Sequence, residues 1–139
     1  MSDRVFVDTN VFVYLFDRDA PGKQARARQL IGELAARLVL STQVLQEFYV
    51  SVTRKLGTPL SARDAGEAAA DLMALDVVVV DVPLVRSAIA RARDDRLSLW
   101  DSLIVEAAMA SGCTRLLSED LQHGRVFGAL RVENPFLEG

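Results

Sequence analysis

Short uninterrupted apolar runs alternate along the chain with stretches in which apolar residues return every three or four positions. The runs at 4–8, 38–40, 77–80, 115–117 and 129–132 predict five β-strands. The periodic stretches predict helices over 10–16, 22–37, 42–55, 61–75, 83–95 and 98–111. In the third of these, Val44, Leu45, Phe48 and Val52 recur at helical spacing. Local signals mark the ends. Gly57 and Pro59 stop the third helix. Ser61 and Asp64 resemble a capping box. Pro83 suits a first helical turn, and Gly112 can take the left-handed position past a helix end. Four consecutive valines at 77–80 suggest a parallel strand covered on both faces.

Strands alternating with helices define an α/β domain around a central parallel sheet of about five strands. The length of 139 residues fits one domain, 1–139. In such sheets ligands bind beyond the carboxyl ends of the strands. No apolar run is long enough to cross a bilayer, and the N-terminus lacks the pattern of a signal peptide. With Cys113 the only cysteine, no internal disulfide framework exists. The expected location is cytoplasmic, away from membranes.

The polar residues that end the apolar runs change the picture. Asp8, Thr9 and Asn10 follow the first strand without a break, and Ser118, Glu119 and Asp120 follow the fourth. Glu47 lies in the helix after the second strand, and Asp101 in the first turn of the last helix. Each acid has an ordinary structural reading. Asp8 could cap a helix, Asp101 could complete a capping box with Ser98, Glu47 could be solvated, and Asp120 could sit in a turn. Together, though, a parallel sheet would carry Asp8, Glu47, Asp101 and Asp120 to one edge. Crowded carboxylates repel unless a cation neutralises them, and hard oxygen ligands select Mg²⁺ or Mn²⁺. A carboxylate-held cation of that kind is the machinery of phosphodiester hydrolysis. Thr9, Asn10 and Ser118 could support it by binding water or a phosphate oxygen.

Net charge is −3, which argues weakly against nucleic acid as a partner. Arg26 with Arg28, Arg54 with Lys55, and Arg91, Arg93 with Arg96 could still form a local basic rim. Trp100 precedes Asp101 and could stack a base, although core or dimer packing is the commoner use. Glu106 reads as solvated, His123 as a turn residue and Cys113 as a small buried hydrophobe.

Four segments in series resemble the PIN-domain ribonucleases, and among them the VapC-like toxins of bacterial toxin–antitoxin pairs. They are VFVDTNVFVYLF, STQVLQEFYVSVTRK, LSLWDSLIVEAAMASGC and RLLSEDLQHG, with VENPF near the C-terminus. The resemblance implies a parallel sheet with helices on both faces and an acidic pocket for Mg²⁺ or Mn²⁺. It places the family's acids on Asp8, Glu47, Asp101 and Asp120, the Ser/Thr before the last acid on Ser118, and a supporting polar residue on Asn10. Glu119 occupies a variable position. It further implies cleavage of RNA, a small cognate antitoxin and a homodimer. The alternatives are a housekeeping nuclease of the same family and a non-catalytic protein- or RNA-binding module. A haloacid-dehalogenase-type phosphatase would want an Asp where Asn10 stands.

Overall fold

The computed structural model describes residues 3–137. The elements follow in the order β1 Val5–Val7, α1 Thr9–Tyr14, α2 Pro21–Leu34, β2 Leu38–Ser41, α3 Thr42–Arg54, α4 Ala62–Met73, β3 Asp76–Val78, α5 Val82–Asp95, α6 Leu99–Ala110, β4 Arg115–Leu117, β5 Val126–Phe127 and β6 Leu130–Glu133. All six predicted helices and all five predicted strands are present.

The strand order is β3-β2-β1-β4-β6-β5. The first five of these are parallel neighbours, and β5 alone runs antiparallel, paired to β6. From β1 the chain steps outward through β2 to β3, then returns to the other side of β1 as β4. Right-handed crossovers therefore place α1–α4 on one face and α5 and α6 on the other. The reversal makes the gap between β1 and β4 a topological switch point, where open α/β sheets bind ligands.

Burial explains why β1 is central. Val5, Phe6 and Val7 have no exposed surface, and Phe12, Phe48, Leu40 and Leu116 are equally enclosed around them. Immediately beyond β1, the Asp8 N–H donates to the Leu117 carbonyl at 3.0 Å. Ser118 N–H donates in turn to the Glu133 carbonyl at 3.0 Å. These bonds carry the sheet pairing one residue past the strands and fix Asp8 and Ser118 side by side at its edge.

Three expectations need correction. The valine run is not a strand covered on both faces. β3 covers Asp76–Val78, none of its three residues is buried, and Val79 beyond it is 65 % exposed. β-Branching favours extended backbone but does not specify what packs on its faces. The second helix ends at Leu34, three residues early, because Ala35 turns to φ 38° and a single 3₁₀ turn leads into β2. A sixth strand of two residues, β5, joins β6 through Gly128 at φ 59°. Two residues carry no periodicity to read.

Glu106 is also not the solvated residue its sequence context suggests. Its carboxylate accepts from Arg91 Nε at 2.8 Å, and both side chains are 18 % exposed. Arg91 also pairs with Asp95 at 2.7 Å and lies 5.4 Å from the Phe127 ring centroid. It thereby clamps α5 to α6 and to β5. Arg91→Met keeps the apolar stem but leaves two half-buried carboxylates without a cation. The expected loss is about 1–3 kcal/mol, between the values for exposed and buried pairs. Urea unfolding checks it.

Candidate active site

Each acid reaches the switch point from a different element. Asp8 is the N-cap of α1 and only 6 % exposed. Its Oδ1 accepts from the Thr9 N–H at 2.7 Å, and its Oδ2 from the Ser118 hydroxyl at 2.8 Å. The capping role and a place in the acidic cluster are therefore compatible. Burial pushes the Asp8 carboxyl up to about 6, against the Thr9 and Ser118 hydrogen bonds, with the charges of Asp120 and Glu47 adding to the rise.

Glu47 projects from α3, where its Oε1 accepts from the Thr9 hydroxyl at 2.9 Å. Asp101 lies in the first turn of α6, and its N–H donates to the Ser98 hydroxyl at 3.0 Å. That cap uses the Asp101 backbone and leaves its carboxylate unbonded among the described residues. Asp120 follows β4, with both oxygens accepting from Asn10 Nδ2 at 3.3 and 3.2 Å. Partial burial raises its carboxyl above the usual range, and the charges of Asp101 and Glu119 raise it further.

Ser118 is fully enclosed and organises the turn. Its hydroxyl donates to Asp8 and accepts from the N–H groups of Asp120 and Leu121, each at 3.3 Å. Glu119, between the two site residues, turns elsewhere. It accepts from the Tyr14 hydroxyl and from Lys23 Nζ, each at 2.6 Å. Partial burial works to raise its carboxyl, but the Lys23 and Tyr14 contacts outweigh it and hold the group below the usual range. Tyr14 in turn stacks edge-on against Phe136, at 4.9 Å between centroids. Glu119 thus ties the β4 turn to α1 and α2.

Asp8, Thr9, Asn10, Glu47, Asp101 and Asp120 all line one cleft of about 490 Å³. Six of the seven predicted site residues are brought together there, and Ser118 stands directly behind Asp8. None of the four acids forms an ion pair among the described residues, although Glu106, Glu119 and Glu133 elsewhere each do. For Asp8, the buried member, a charge is ordinarily paired or bound to a metal. No three of them converge closely enough to form a finished metal cage among the described residues. The donor set is nonetheless all oxygen, mutually repelling and held from behind by neutral hydrogen-bond donors. In its chemistry it fits a hard divalent cation.

The sequence reading missed Gln43, Gln46, Val50, Ser51 and Ile104, which line the same cleft. Gln43 stands four residues before Glu47, so helical spacing alone places the two on one face. Lys55 lines the cleft too, whereas Arg91 and Arg93 are bound to carboxylates and form no basic rim. Trp100 is not core. It is 63 % exposed in the cleft wall.

A parallel α/β sheet with an unpaired all-oxygen acidic cleft at its switch point defines the class to which this chain conforms. The PIN domain family model matches residues 5–127, and the chain belongs to that family. No curated protein matches it in sequence. Solved structures that share the fold include the following three. A sarcin–ricin loop cleaving VapC toxin of Mycobacterium tuberculosis is 22 % identical with a TM-score of 0.68, over 84 % of this chain and 89 % of that one. The Klebsiella pneumoniae toxin–antitoxin complex gives 15 % identity and a TM-score of 0.72, over 95 % and 98 %. A DNA-bound VapBC complex of Salmonella typhimurium gives 16 % and 0.67, over 95 % and 98 %.

Proposed function

We propose that the protein is a divalent-cation-dependent endoribonuclease, and that it is the toxin of a toxin–antitoxin pair. The observation that carries the first part is the set of four acids, from four separate segments, sharing one cleft without a single ion-pair partner among the described residues. Membership of the PIN domain family supports the same reading. The second part rests on the likeness to toxins solved with their antitoxins.

In this reading Asp8, Glu47, Asp101 and Asp120 hold Mg²⁺ or Mn²⁺. When bound, the cation supplies Lewis acidity toward the phosphoryl oxygens and lowers the pKa of water. The chain's own part is positional. Thr9 and Ser118 lock both oxygens of Asp8, Thr9 holds Glu47 through its hydroxyl, and Asn10 holds Asp120. A site fixed in this way needs little reorganisation as charge develops on the phosphate. A small antitoxin is the proposed protein partner in the cytoplasm. A second copy of the chain is proposed as well, supported by Val82 and Ile89, which are exposed on one face of α5.

The test is cleavage of a labelled single-stranded RNA by the purified protein in Mg²⁺ or Mn²⁺, with and without excess EDTA. Cleavage that stops in chelator and returns with added cation is the expected result. Undiminished cleavage in EDTA, or none under any cation, would remove the proposal.

A further inference from the structure

We infer that Trp100 is the stacking platform for a nucleobase of the substrate RNA, held beside the acids by Gln43. The inference rests on the nuclease reading and names how that site would take its substrate. Trp100 is the chain's only tryptophan and the only aromatic side chain lining the cleft among the described residues. It lies next to Asp101 in the first turn of α6, yet 63 % of it is exposed. An indole presented to water in the wall of an acidic cleft offers a flat face to a base, and stacking of this kind tolerates any base.

Gln43 supplies the independent observation. It is only 7 % exposed and lines the same cleft. Its Nε2 donates to the Trp100 carbonyl at 3.2 Å, tying α3 to the first turn of α6. That bond fixes which end of the amide is which, and it leaves Oε1 without a donor among the described residues. A buried acceptor without a donor, on a residue that lines a cleft, is the exception in folded proteins. An amino or imino N–H on the edge of a base is the kind of donor it lacks. Lys55 lines the cleft and has no ion-pair partner among the described residues, so a phosphate flanking that base has a cation to meet.

An apolar protein segment is the rival occupant. The four carboxylates in the cleft lining disfavour it, because an apolar segment would strip them of water without pairing them. Polar groups and one aromatic face match a ribonucleotide better than they match a hydrophobic helix.

Because Trp100 is the sole tryptophan, its fluorescence reports this subsite without labels. Asp8→Asn protein in Mg²⁺ is titrated with a short single-stranded RNA containing the mapped cut site, while anisotropy of a dye on the RNA reports binding separately. Quenching that disappears when one base beside the cut is made abasic is the expected result. In cleavage assays Trp100→Ala should raise KM about tenfold with little change in kcat. Trp100→Phe should recover most of that loss, and the abasic RNA should show no difference between Ala and wild type. RNA that binds without quenching would overturn the inference. So would a Trp100→Ala loss of equal size on intact and abasic RNA, or unchanged RNA kinetics with lost binding of a partner protein. A wild-type chain that cuts no RNA would fail the nuclease reading instead, and the same titration with a mixed-sequence single-stranded RNA, each base made abasic in turn, would still decide on the subsite.

Discussion

Asp101→Asn is expected to lower RNA cleavage at least about 100-fold, the scale on which removal of a single group that stabilises developing charge is felt, while melting stays close to wild type. The fold should tolerate the change because it uses the Asp101 backbone and not its carboxylate. The N–H is bonded to the Ser98 hydroxyl, and that cap survives in the variant. What disappears is one of the negative charges that face the cleft. Ser98→Ala is the contrasting case, because it leaves the acid but loosens the turn presenting it. Lost capping typically costs about 1 kcal/mol, so that variant should melt earlier and lose far less activity. Single-turnover cleavage with saturating Mn²⁺, alongside thermal melting, separates the two. Wild-type rates in Asp101→Asn would exclude this acid from the machinery.

The second large effect concerns Asp8 and works in the opposite sense on stability. Its carboxyl stands at about 6 in the folded chain against an ordinary 3.8. A raised pKa means that the native state binds the proton more tightly than the unfolded chain does. The associated stability is fully present below about pH 4 and is lost as pH rises through 6. At pH 8 in EDTA the ionised, buried carboxylate therefore costs the fold up to about 3 kcal/mol. Asp8→Asn removes that cost. Its Oδ1 can still accept from the Thr9 N–H, whereas its Nδ2 meets a Ser118 oxygen that already accepts from the Asp120 and Leu121 N–H groups, which offsets part of the gain. The expected gain is about 1–3 kcal/mol at pH 8, read as a Tm several degrees higher, and close to nothing at pH 4. Mn²⁺ should narrow the gap by stabilising the wild type preferentially. A lower Tm for Asp8→Asn at pH 8 in EDTA would contradict the crowded-carboxylate account.

The floor of the site was legible because it depends on local chain features. An apolar run that stops at Asp8 marks a strand end, and the helical period of α3 carries Glu47. The alternation of strands and helices makes the sheet parallel, so these residues share an edge. The walls were less legible because they depend on packing between distant segments. Gln43 shares a face with Glu47, which spacing could have shown, but its bond to Trp100 spans 57 residues. Trp100 reads as core by residue type alone, and only the position of the α6 terminus exposes it. Glu106 meets Arg91 through the α5–α6 contact, which no spacing along α6 encodes. The valine run misled for a related reason, since propensity for strand says nothing about what packs against its two faces.

The central claim is that Asp8, Glu47, Asp101 and Asp120 form one divalent-cation site. Anomalous diffraction from crystals soaked in Mn²⁺ locates bound manganese directly. The account predicts density in the cleft within about 2–2.6 Å of carboxylate oxygens from at least two of these acids, and its absence from Asp101→Asn crystals. A protein that cleaves RNA yet binds manganese only outside the cleft, or not at all, would contradict it.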